Sequence, residues 1–157
     1  MLRSRERATA LTAVLPDAPC WGRGDPDAVA RVVRILLDNA LRYAPVGEPV
    51  RVTVGCDAAR THVEVADRGP GVHPGEREQI FERFQRGRSA SVEAGFGLGL
   101  AIGRELAERM GGSLELAGKE GETGTRFRLD LPAAEPDADH APEPAAIPSA
   151  GRSRAAG

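Results

Sequence analysis

The sequence predicts an α+β domain, a two-layer α/β sandwich whose mixed sheet carries helices on one face and is interrupted by one long loop. Three observations predict it. Residues 50–56 and 125–131 alternate apolar and polar side chains with period two, as half-buried strands do. Residues 26–43 and about 98–110 space their apolar positions three and four apart, as amphipathic helices do. The resulting order is strand, helix, strands, long loop, helix, strands, which packs as helices laid on one side of a sheet.

Taken along the chain, "TALTAVL" at 9–15 reads as a short first strand. The first helix has a defined start, with Asp25 as N-cap and Pro26 at the first helical position, where a missing N–H is tolerated. Val29, Val32, Val33, Leu36, Leu37 and Ala40 form its apolar face. "VRVTVGC" then places Val50, Val52, Val54 and Cys56 on one side of a strand, and "THVEVAD" turns Val63 and Val65 inward. Next comes "DRGPGVHPGEREQIFERFQRGRSASVEAGFGLG", in which a short helix is expected around 76–84. So long a connection in a compact domain is functional or disordered more often than not. The second helix ends at Gly111 and Gly112, a good C-terminal stop. "GSLEL" is a short strand, and "TRFRLDL" sets Thr125, Phe127, Leu129 and Leu131 on one face. The domain is therefore expected over 9–132, after an extension at 1–8. The Ala- and Pro-rich stretch 133–157 has too few large apolar residues to offset its ordering entropy and is expected to be disordered.

Composition narrows the class of function. At 157 residues the chain is the size of one domain, and 41% hydrophobic with 28% charged residues suits a soluble globular protein. A net charge of −2 and a pI near 6.0 argue against a general nucleic-acid binder. Lys119 is the one lysine among 21 basic residues, a compositional bias without functional content. No stretch approaches the roughly 18 apolar residues of a membrane span, and "MLRSRERATALTAVLP" lacks the apolar centre of a signal peptide. A cytoplasmic location is expected. Cys20 and Cys56 are far apart and without metal-ligand spacing, so they are expected as buried thiols in a reducing compartment.

Four stretches carry chemistry. In "ILLDNALRY", Ile35, Asn39, Arg42 and Tyr43 share one helical stripe. An amide, a cation and an aromatic in a row offer a metal or phosphate ligand, a counter-charge and a stacking face; a solvated helix edge has the same pattern. Asp67 continues the Val63, Val65 alternation, so its carboxylate points to the buried side of the sheet, where it needs a partner. Gly69 and Gly71 behind it let the backbone turn sharply and approach a flat ligand, leaving Asp67 to accept from an exocyclic amine. An aspartate capping its own turn is the alternative. In "GFGLGLAI", Gly95, Gly97 and Gly99 precede a helix, whose N-terminus and open N–H groups suit phosphate oxygens; a flexible hinge is the plainer reading. It is not a dinucleotide fingerprint, since Leu100 stands at the last glycine position, and Lys119-Glu120 excludes a P-loop. In "IFERF", Phe81 and Phe84 could anchor a lid or make a plain core contact.

In this order and spacing, "ILLDNALRY", "DRGPG", "IFERF" and "GFGLGL" closely resemble the N, G1, F and G2 boxes of the ATP-binding catalytic domain of sensor histidine kinases, within the Bergerat-fold ATPases. The resemblance covers about 9–132. It implies an ATP-contact set of Asn39, Arg42, Tyr43, Asp67, Gly69, Gly71, Phe81, Arg86, Gly95, Gly97, Leu98, Gly99, Leu100 and Thr125. Asn39 would be the ligand of the Mg²⁺ that bridges the phosphates, Arg42 would face them, Tyr43 would lie against adenine and Asp67 would accept from its amino group. The segment from about Val72 to Phe96 would be the ATP lid, with Arg86 reaching the γ-phosphate. Phosphoryl transfer needs mainly positioning and charge neutralisation, which this set supplies.

Two departures qualify the resemblance. Ile35 stands four before Asn39, where hydrolytic relatives such as gyrase carry a glutamate base, so slow ATP hydrolysis is expected. The phosphoacceptor histidine of a two-helix dimerisation hairpin is missing: His62, His73 and His140 lack its acidic context and read as ordinary surface residues. No catalytic residue is therefore assigned. The nucleophile is expected from a partner or a longer parent chain, with a response regulator downstream. Two alternatives remain: an anti-sigma-factor-type serine kinase, against which the "IFERF" stretch argues, and a non-catalytic nucleotide-binding module.

Overall fold

The computed structural model describes residues 9–82, 98–118 and 123–136. Five strands form one sheet: β1 (Leu11–Val14), β2 (Val50–Cys56), β3 (Arg60–Asp67), β4 (Ser113–Ala117) and β5 (Thr125–Pro132), in the spatial order β1-β2-β3-β5-β4. β1 lies parallel to β2, and the other pairs are antiparallel, so the sheet is mixed as the order of elements predicts. Helices α1 (Pro26–Tyr43) and α2 (Gly99–Arg109) pack on one face.

The core forms where the period-two and period-3.6 faces meet. Val50, Val65, Leu114, Phe127, Leu129 and Leu131 project from the sheet on to Val32, Leu36, Ala40 and Ala107 of the helices, all buried. Each fully buried side chain of this size stabilises the fold by about 1.5–3 kcal/mol relative to exposure. Asp25 accepts from the Asp27 N–H at 2.9 Å and starts α1. Ala44 is extended because Pro45 follows it, and α1 stops there. At the end of α2 the Gly111 and Gly112 N–H groups reach back to the Glu108 and Ala107 carbonyls at 3.0 and 2.9 Å, with Gly111 at φ +75°. That is the Schellman arrangement, for which a glycine is suited.

Three expectations need correction. The short helix around 76–84 is instead two 3₁₀ turns, Pro74–Glu76 and Gln79–Phe81; the first is capped by His73 Nδ1, which accepts from the Gly75 N–H at 3.1 Å. Order continues past Pro132, because the Ala133 and Ala134 N–H groups bond to the Ala59 and Trp21 carbonyls. The rest of the expected tail, 137–157, and the extension 1–8 lie outside the described residues.

The third correction concerns the cysteines, which are not buried thiols but a Cys20–Cys56 disulfide, with Cys56 exposed and Cys20 half-buried. The bond ties the segment between β1 and α1 to the end of β2. A link across 36 residues removes loop-closure entropy from the unfolded chain worth about 3–4 kcal/mol. Cys56→Ser is expected to lower the urea-unfolding free energy by about that amount, and reductant should then have no further effect on the variant. Equal stability of variant and oxidised wild type would contradict it.

Candidate functional site

β3 runs antiparallel to β2 and β5, so its last residue, Asp67, lies at the sheet end that β2 and β5 enter, paired with Thr125. Thr61, Val65 and Asp67 are its buried positions, on the side that meets α1, and Asp67 is 6% exposed. Its Oδ1 accepts from the Gly69 N–H at 2.7 Å. Burial pushes this carboxyl above its ordinary value, against the lowering effect of the Gly69 and Thr125 backbone N–H groups. The residue thus caps its own turn and also presents a desolvated carboxylate toward α1. The turn-capping reading is realised, and the carboxylate lies on the buried side of the sheet as the alternation predicts.

Two glycines make that position possible. A Cβ on Gly69 would lie 2.6 Å from the Tyr43 carbonyl oxygen and 2.8 Å from Asp67 Oδ1, so the loop after β3 presses directly on the end of α1. The glycine expected to admit a ligand here admits a helix end. Gly71 has φ +79°, a conformation side chains disfavour, and it turns the chain away from the site. On the other side, Gly124 (φ +90°) runs against β3, where a Cβ would meet the Asp67 carbonyl oxygen at 2.1 Å. Gly124 was not legible as part of the site. It reads as an ordinary turn glycine in "GETGT", and only the pairing of β5 with β3 gives it this neighbour.

The N-terminus of α2 arrives from above. Gly99 sits over Ile35, its added Cβ being 3.3 Å from Ile35 Cγ2, and Gly103 packs on Leu114 and Val32. Asn39 is half-buried on the same stripe, one turn beyond Ile35. Leu98 makes no side-chain cap and no acidic residue occupies the first turn, so among the described residues no capping side chain meets the leading N–H groups of α2. The fold thus sets Asp67 beside its partner Thr125 and, across Gly69, near the Tyr43 carbonyl, while Gly99 meets Ile35 one turn before Asn39; Asn39, Tyr43, Leu98, Gly99, Leu100 and Thr125 are all half-buried. Arg42 is exposed in the last turn of α1, where a cation also complements the helix dipole.

Phe81 belongs to the core. It is 9% exposed, meets Phe127 edge-on at 6.0 Å between centroids, and lies 5.1 Å beneath the Arg104 guanidinium. Its ring is enclosed by protein, so it anchors the 72–82 segment to α2 and β5. Phe84, Arg86, Gly95 and Gly97 lie outside the described residues, as does most of the expected lid. Among the described residues no group of three or more His, Cys, Asp or Glu side chains could hold a metal ion. A metal here would need to arrive with ligands of its own, leaving the Asn39 amide as a protein oxygen for it. Likewise, no helix among them is long and apolar enough to cross a membrane.

The chain is similar to known proteins in sequence and fold. Residues 24–135 match the family model described as histidine kinase-, DNA gyrase B-, and HSP90-like ATPase. The chain is 40% identical over 117 residues to the signal transduction histidine-protein kinase/phosphatase MprB of Mycolicibacterium vanbaalenii, covering 73% of this chain but 24% of that protein. Among solved structures it resembles the mycobacterial sensor histidine kinase MprB (TM-score 0.73, 33% identity, 82% of this chain and 87% of that one). It also resembles full-length ShkA in complex with AMPPNP (TM-score 0.71, 28% identity, 85% of this chain and 27% of that one). The chain spans about a quarter of the length of the curated relative.

Proposed function

Because the chain belongs to the histidine kinase-, DNA gyrase B-, and HSP90-like ATPase family, we propose that it binds Mg²⁺-ATP and positions the γ-phosphate for transfer to a histidine on a dimerisation hairpin of a partner or longer parent chain. A response regulator would receive the phosphate next. The observation that carries this reading is Asp67, a desolvated carboxylate at the end of β3 between α1 and Gly124. A buried carboxylate with one oxygen held by the Gly69 N–H can accept from an exocyclic amine with the other. Tyr43 supplies an aromatic face nearby, and the open N-terminus of α2 supplies N–H donors for phosphate oxygens.

The residues present fit a magnesium ion. Mg²⁺ keeps several waters and binds through substrate phosphates with few protein oxygens, so one amide on a rigid helix suffices. Asn39 would hold it, and the ion would neutralise phosphate charge. Arg42, Gly71, Leu98, Gly99, Leu100 and Thr125 complete the proposed contact set, with Arg86, Gly95 and Gly97 from the glycine-rich segment and Phe81 as its anchor. The cytoplasm, where ATP is available, is the proposed location.

Calorimetry in the presence and absence of Mg²⁺ tests the binding step. Asn39→Ala is expected to lose most of the Mg²⁺-dependent part of the affinity, roughly tenfold, and to keep the part that does not need the ion. Retention of full Mg²⁺ dependence would remove Asn39 from the metal. For the transfer step, the chain is mixed with a separately purified hairpin domain from a sensor kinase and labelled ATP. Label on the hairpin histidine is expected; tight ATP binding with no transfer to any such hairpin would favour a binding module instead.

Hydrolysis by the isolated chain is expected to be slow. Ile35 is packed against Gly99 and Gly103 and has no group that can take a proton from water. Turnover by the purified chain at the ~10 s⁻¹ typical of enzymes would contradict this assignment.

A further inference from the structure

We propose that the Cys20–Cys56 pair is a redox-sensitive latch, which holds residues 15–24 on the sheet when oxidised and frees them when a dithiol reductant opens it. The segment has little else to hold it. Apart from the Gly22–Ala133 bridge it has no regular secondary structure, and all of it except Cys20 and Trp21 is exposed. The Trp21 carbonyl accepts from Thr61 Oγ1 at 2.7 Å and from the Ala134 N–H at 2.9 Å, and the Arg23 N–H donates to the Pro132 carbonyl at 2.8 Å. Such bonds contribute modestly once exchanged against water, while conformational entropy opposes the ordering of every residue in the segment. The covalent link to Cys56 therefore decides the balance.

The segment covers one end of the core. A Cβ on Gly22 would lie 3.4 Å from Thr61 Cβ and 3.6 Å from Leu131 Cβ, and one on Gly24 would lie 3.0 Å from Met110 Sδ and 3.3 Å from Val29 Cγ2. Under this cover Thr61 and Leu131 are 8% and 7% exposed. Opening the latch uncovers an apolar patch of Val29, Met110 and Leu131. The centre of the core, at Leu36, Val65 and Leu114, lies between sheet and helices and does not need the cover, so the reduced domain stays folded.

Cys56 is exposed and Cys20 half-buried, so Cys56 is the side from which an attacking thiolate reaches the bond. A thiolate of the reductant attacks Cys56 Sγ, a mixed disulfide forms, and Cys20 leaves as a thiolate that takes a proton from solvent. The second thiol of the reductant then closes on its own partner sulfur and releases Cys56. Two electrons have passed to the pair, and the reductant departs as a disulfide. Peroxide reverses the change: one cysteine becomes a sulfenic acid with release of water, the other attacks that sulfur, and a second water leaves as the bond closes. Where thiols are kept reduced, as in the proposed cytoplasm, a disulfide is transient and redox-sensing more often than structural. The latch is also remote from the proposed nucleotide site. Cys56 pairs with Thr61 near one end of β3 and Asp67 ends the other, about 20 Å away at roughly 3.3 Å per residue.

The test is native hydrogen exchange, read by mass spectrometry on the full chain oxidised with hydrogen peroxide or reduced with dithiothreitol. In the reduced chain the Arg23 and Ala134 amides are expected to exchange at least about tenfold faster than in the oxidised chain, and at least about tenfold faster than the β3 amides of the same sample. Trp21, the one tryptophan, should shift its emission to longer wavelength on reduction and recover when peroxide restores the bond. Cys20→Ser should match the reduced chain with or without dithiothreitol. Three results would overturn the proposal: two free thiols after peroxide treatment, equal exchange of Arg23 and Ala134 in both states, or a reduced chain in which these amides and β3 lose protection together, which would make the bond a staple of the whole fold. No nucleotide enters the experiment, so its outcome is independent of the ATP reading.

Discussion

Asp67→Asn is expected to weaken nucleotide binding on the order of a hundredfold and leave the domain at least as stable as before. The two effects separate because they act through different atoms. Asparagine keeps an oxygen that accepts from the Gly69 N–H, so the turn survives. Its other group is an NH₂ donor facing the adenine amine, which also donates, so an acceptor is lost and a repulsion is added. The stability sign follows from the raised carboxyl value. Such a group binds its proton more readily folded than unfolded. Its contribution to stability is complete below the unfolded value near 3.8 and is lost as pH rises through the higher folded value. At neutral pH the ionised Asp67 is therefore a net cost to the fold that the neutral amide removes. Urea melts and calorimetry on the same preparation read both effects, and undiminished nucleotide affinity in a folded variant would refute the adenine assignment.

The same shift predicts a pH profile for binding. The accepting form is the carboxylate, so affinity should fall as pH drops through the raised folded value, beginning at higher pH than for an ordinary aspartate. Adenosine as the ligand keeps phosphate titration out of the curve. In Asp67→Asn the profile should flatten. A wild-type profile that stays flat down to the ordinary carboxylate range would contradict the link.

What could be read from the sequence was what depends on local period. Alternation through Val63, Val65 and Asp67 placed the carboxylate on the buried face, and the Asp25-Pro26 start located α1 to the residue. Register and non-local contact were invisible. Cys20 and Cys56 meet because the segment before α1 runs back past the end of β2, a proximity that a separation of 36 residues does not announce. Gly69 was read as access for a ligand, but its immediate neighbour is the Tyr43 carbonyl. The two 3₁₀ turns around Phe81 were read as one helix because their anchor, the Phe127 ring, comes from a distant strand.

Gly124→Ala is expected to cost about 3 kcal/mol or more of stability and to take nucleotide binding with it, and Gly47→Ala isolates the reason. Both glycines have nearly the same positive φ, +90° and +88°, so the penalty an alanine meets at positive φ, about 1 kcal/mol, applies to both. Around Gly47 there is nothing within 4 Å of an added Cβ, whereas at Gly124 that atom would sit 2.1 Å from the Asp67 carbonyl oxygen and 3.1 Å from Arg68 Cα. Those neighbours are backbone and cannot rotate aside, so the start of β5 must lift from β3. Asp67 and Thr125 are register partners, and the separation moves the carboxylate that the nucleotide needs. Urea melts should place Gly47→Ala about 1 kcal/mol below wild type and Gly124→Ala well below that, with ATP affinity lost only in the second. Equal melts for the two variants would mean that β5 enters the sheet elsewhere and that the Asp67 site is not built against Gly124.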